Sequence, residues 1–149
     1  MIQPEITGEL PDDLYERIKS LCKKGDDLAK AALFDEALDQ YDAAWRLVPD
    51  PKNTWEASTW ILAAIADSCF LAGYNTSATE ALAYAMTCPG GLGNPFLHLR
   101  YGQSLFDLDQ KDHAADELMR AYMGGGIEIF HGEDKKYLTF LRSVARNIV

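Results

Sequence analysis

A register that returns three times constrains this chain more than any other feature. Counting from Gly25, Ala66 and Gly102, the third residue on is Leu28, Cys69 and Leu105, and the twelfth is Ala37, Ala78 and Ala114. The sixteenth is Tyr41, Leu82 and Leu118, and the nineteenth is Ala44, Ala85 and Ala121. The starting points lie 41 and then 36 residues apart, a period that marks stacked helical units. Two antiparallel helices approach closely only where one presents a small side chain. Gly25, Ala66 and Gly102 would supply that gap on the first helix of each unit, and Ala37, Ala78 and Ala114 on the second. Tyr41, Leu82 and Leu118 would then fill the space between neighbouring hairpins. No unit buries its apolar stripe alone, so about three must stack to make a stable body.

The apolar spacing predicts seven helices and no strand. Leu14, Ile18, Leu21 and Leu28 mark the first, with Pro11 in its opening turn and Asp12 and Asp13 where the helix dipole favours carboxylates. The second, 34–48, carries Leu38, Tyr41, Trp45 and Val48 and stops before Pro49. The third, 54–71, takes Asn53 as its N-cap and ends at Gly73. Asn75-Thr76-Ser77 opens a fourth helix running to residue 87, and Pro89 to Gly93 reads as a linker. A fifth helix (95–108) and a sixth (111–123) follow, and Gly124-Gly125-Gly126 interrupts the pattern. The seventh, 133–146, has Tyr137, Phe140, Leu141 and Val144 on its apolar face. The reading is a single all-α domain over 1–149, with units at 18–51, 59–91 and 95–127 and a closing helix at 133–146.

This arrangement resembles the tetratricopeptide repeat (TPR) family. The first unit matches its pattern at Gly25, Ala37, Tyr41, Ala44 and Pro49, the second at Ile65, Ala78 and Ala85, and the third at Gly102, Ala114 and Ala121. The second unit has Ala66 for the usual glycine and Pro89 one residue early; the third ends in glycines where a proline is the rule. The resemblance implies a right-handed α-solenoid of three helix hairpins, with the seventh helix as the cap that an exposed last hairpin needs. It also implies that the first helix of each hairpin lines a concave groove that holds one protein partner. Carried onto this sequence, that geometry selects Lys19, Cys22, Asp26 and Ala29 from the first unit. It selects Trp60, Ala63, Asp67 and Phe70 from the second, and Phe96, Leu99, Gln103 and Phe106 from the third. The partner-binding set expected from these is Asp26, Trp60, Asp67, Phe70, Phe96, Leu99, Gln103 and Phe106, aromatic anchors among a few polar groups. The competing reading is that the aromatics are core, covered by the seventh helix folding back.

Composition narrows the partner. Fourteen basic residues stand against 23 acidic ones, a net of −9, which repels nucleic acid and anionic membrane and favours a basic partner. The longest apolar run, Trp60 to Ala66, is far too short to cross a bilayer, and Met1-Ile-Gln-Pro-Glu has no basic stretch ahead of an apolar one, so no signal peptide is expected. Cys22, Cys69 and Cys88 are odd in number and fall at or near helices, which suits reduced thiols in the cytoplasm.

Catalytic chemistry is not expected. His98, His113 and His131 lie 15 and 18 residues apart without the close partners of a zinc site, so neither metal nor cofactor is anticipated. Neither glycine cluster has the Lys-Ser/Thr or the strand of a phosphate loop, and no serine or cysteine sits in a nucleophile motif. The expected function is therefore a binding module. The run from Ile127 to Leu141 is similar to the ending of small stand-alone bacterial repeat proteins, some of which resemble immunity proteins of secreted toxins. That resemblance implies neutralisation of a basic toxin. The alternatives are a three-repeat secretion or assembly chaperone holding a client peptide, and a structural subunit that acts as a homodimer rather than a monomer.

Overall fold

The computed structural model describes residues 10–146. Among them it contains seven α-helices, two short 3-10 turns and no strand. The helices are α1 (Asp12–Lys30), α2 (Phe34–Leu47), α3 (Glu56–Ala72), α4 (Asn75–Ala85), α5 (Pro95–Asp107), α6 (Lys111–Gly125) and α7 (Lys135–Val144). Each helix packs on the next from α1 to α6, and α1 also meets α3 as α3 meets α5. That is the contact order of three successive hairpins, α1–α2, α3–α4 and α5–α6.

The repeated positions carry this packing. Ala37, Ala44, Ala66, Ala78, Ala85, Ala114 and Ala121 are fully buried, as are Leu82 and Leu118. The two glycines are needed for closeness rather than for backbone freedom. A Cβ on Gly25 would lie 2.5 Å from Tyr41 Cε1, and one on Gly102 would lie 2.6 Å from Leu118 Cγ. Tyr41 and Leu118 therefore fill the gap inside their own hairpins, and this corrects the expectation that they would fill the space between hairpins.

Several helix ends differ from the sequence reading: α4 and α7 each stop two residues early, at Ala85 and Val144, and three other ends have a visible cause. Asn53 does not cap α3; it lies in a 3-10 turn (Lys52–Thr54), and α3 starts at Glu56 behind Trp55. Trp55 is 1% exposed, and its indole N–H donates to Pro49 O at 2.9 Å. Lys52 turns back so that its ammonium donates to Trp45 O and Val48 O at 2.8 and 2.7 Å, capping the carbonyls at the end of α2. Burying the indole outweighs an asparagine cap, so the chain folds inward before the helix begins. At the other end of the molecule α6 continues through Gly124 and Gly125. A side chain at either would collide with Pro95 or Ile129, and the helix stops only at Gly126, where φ is +72°. The last helix starts two residues later than expected, after Asp134, whose carboxylate accepts from the Lys136 N–H at 2.9 Å.

Candidate protein-binding face

The face shared by α1, α3 and α5 divides into a covered part and an open part. The cover is α7. Its Tyr137 ring stands edge-on to Phe106 (5.5 Å between centroids) and tilted over Phe70 (6.2 Å), while Phe140 lies 5.0 Å from Phe106. The Tyr137 hydroxyl donates to Asp107 across 2.9 and 3.0 Å, and Lys136 pairs with the same carboxylate at 3.3 Å. Leu99, expected to meet a partner, is buried in the cluster that holds Tyr137 and Leu141. Of the eight residues expected to bind, Leu99 and Gln103 are interior, and Phe70 and Phe106 carry α7.

Gln103, expected to meet a partner, is instead fully buried. A buried ion network satisfies it. The Arg100 guanidinium donates from Nε to Asp67 at 2.8 Å, and from one terminal nitrogen to Gln103 Oε1 at 2.8 Å and Glu133 Oε1 at 2.6 Å. Gln103 Nε2 donates to that same Glu133 oxygen at 2.7 Å. Phe70 and Phe96 lie on the guanidinium, at 4.8 and 5.0 Å from ring centroid to its carbon. Carboxylates and ring faces here replace the water that the guanidinium lost on burial. Arg100 escaped the sequence reading although it follows Phe96 by one helical turn, a spacing that could have revealed the stacked pair.

The open part holds Asp26, Trp60, Asp67 and Phe96. Trp60 is 36% exposed and Phe96 39%. Tyr15, also missed, stands edge-on to Trp60 at 6.3 Å, and the Lys19 ammonium lies 4.8 Å from the Tyr15 ring centroid. Asp26 is exposed but fixed, because the buried Tyr41 hydroxyl donates to it at 2.6 Å. Burial, followed by that bond to Asp26, pushes the Tyr41 phenol well above its usual range. The donor therefore remains a neutral phenol and brings no positive charge to Asp26. In the repeat register Asp26, Asp67 and Gln103 each follow the small residue, and each has a fixed hydrogen-bond partner.

Two further polar groups are structural. His98 is 1% exposed; its Nε2 accepts the Gly93 N–H at 2.9 Å, which leaves Nδ1 to carry the proton and donate to Glu117 at 2.6 Å. This ties the 89–94 linker to the start of α5. Burial pushes the Cys22 and Cys69 thiols up to about 11 from an ordinary 9, so both stay protonated. Among the described residues no set of His, Cys, Asp or Glu is arranged to hold a metal ion, and no helix is long and apolar enough to cross a membrane. No family model matches the chain, and a search of curated proteins finds no match.

Proposed function

We propose that this protein is a binding module of the tetratricopeptide type, a right-handed stack of three hairpins that captures one protein partner rather than transforming a substrate. The observation that carries the reading is the exposure of three large rings, with Tyr15 standing edge-on to Trp60 and Phe96 open on one side of the Arg100 guanidinium. Core packing would have turned those rings inward, whereas partner hot spots are built from such side chains. The most specific form of the proposal is an immunity-type inhibitor of a basic bacterial toxin. A net charge of −9 would speed that encounter, and the buried reduced cysteines suit a cytoplasmic setting. One observation favours the chaperone reading instead: the same face already accepts an amphipathic helix, α7, as a client segment would be accepted.

The test is affinity capture from the native host with wild type and a Trp60→Ala/Phe96→Ala variant, both checked for fold by circular dichroism. A single stoichiometric partner that the variant loses is expected. A partner kept equally by both forms would overturn the assignment of this face. A basic folded partner separates the immunity role from the chaperone role, which calls for an unfolded or amphipathic client.

A further inference from the structure

We infer that the occupant of the open face is a protein segment that sets a lysine or arginine against Asp26 and an apolar side chain beside Trp60; this rests on the protein-binding reading above. Two hollows lie along α3. One, of about 300 Å³, sits between α1 and α3 and is lined by Asp26, Lys30, Tyr41, Ala64, Asp67 and Leu71. The other, of about 380 Å³, is lined by Glu56, Thr59, Trp60, Ala63, Pro89 and Asn94. Ala63 and Ala64, one in each, keep the ridge between them low. Trp60 and Asp67, one in each hollow, are seven residues apart on one helix, so their backbones lie about 10 Å apart.

Their charges differ from their shapes. The first hollow holds two carboxylates and one ammonium, and Asp26 pairs with no cation among the described residues. The group that orients Asp26 is a hydroxyl and not a cation, and Asp26 is exposed to a partner. The second hollow adds Glu56 beside an indole face, which also suits a cation's aliphatic stem. The covered end of the same face shows that this chemistry works here. There α7 docks Tyr137 and Phe140 on aromatic rings while its Lys136 meets Asp107. A partner that continues along the open end meets the same alternation of rings and carboxylates.

The experiment titrates the full chain with synthetic peptides carrying Leu and Lys three residues apart, which in an extended strand span about 10 Å, or seven apart for a helical span. Binding is read by calorimetry and by amide and indole shifts. At least one spacing is expected to shift the Trp60 indole and the Asp26 amide. Replacing the peptide lysine by norleucine, or Asp26 by Asn, should each weaken binding about tenfold, and added salt should weaken it further. Asp26→Asn keeps an oxygen for the Tyr41 hydroxyl, so the variant stays folded. Equal binding of the lysine and norleucine peptides at Trp60 would overturn this inference and leave the protein-binding reading standing. No shift at Trp60, Phe96 or Asp26 from any peptide would overturn both.

Discussion

A methyl group at position 25 would press on the Tyr41 ring, and one at position 102 on Leu118. Gly25→Ala and Gly102→Ala should therefore each lower unfolding free energy by about 1–3 kcal/mol in urea titrations, despite the better helix propensity of alanine. Alkaline stability follows from the buried thiols and phenols. Cys22 and Cys69 are raised to about 11 from 9, and Tyr41 and Tyr137 are raised above 10, each chiefly by burial. A group whose folded value is raised lends its stability in full below its unfolded value and loses it as pH climbs toward the folded one. Stability should thus fall from pH 9 upward, and Tyr41→Phe and Tyr137→Phe should flatten the part of the fall above pH 10. Ellman titration should find Cys22 and Cys69 unreactive until the chain is unfolded. At this scale the repeated small residues were legible, because close helix contact leaves a fixed spacing in the sequence. The ties of Arg100 were not, since Asp67 and Glu133 each lie 33 residues away and no local pattern reports them.

Between the residue and the molecule stands α7, ten residues long, held by aromatic contacts and by the Glu133 that precedes it. Its apolar stripe was legible from the 3.6-residue period, and so was the need for a cap. Which surface it would cover was left between two readings, one of them this helix folding back over the aromatics, because a stripe shows that a helix buries one side without saying against what. It covers α3 and α5 at Phe70 and Phe106, which had looked like binding residues, as the second reading has it for those two rings. Arg100→Met should cost about 3 kcal/mol, less than the full penalty for a broken buried pair because Asp67 keeps some water. Glu133→Gln should cost less, since its amide oxygen still accepts from the guanidinium. Truncation after Gly132 should uncover Phe70 and Phe106 and be seen as a rise in dye binding with little loss of helical signal.

Seen whole, the molecule is three successive helix hairpins with a surplus of negative charge. Adding sodium chloride should raise the melting temperature by relieving self-repulsion and, in the same range, slow capture of a basic partner. The three-hairpin order was legible from the register alone, whereas the division of one face into open and covered halves needed the fold. A linear row ordinarily comes undone from its ends, one unit after another, because neighbours hold only neighbours. The Arg100 guanidinium departs from that rule by gripping α3, α5 and the entry to α7 at once. The second and third hairpins and the last helix should then open as one cooperative block, and α1 and α2 should exchange their amide hydrogens first. In Arg100→Met the protection should split, with α7 opening independently. A single arginine thus sets which part of the molecule can loosen while the rest holds together.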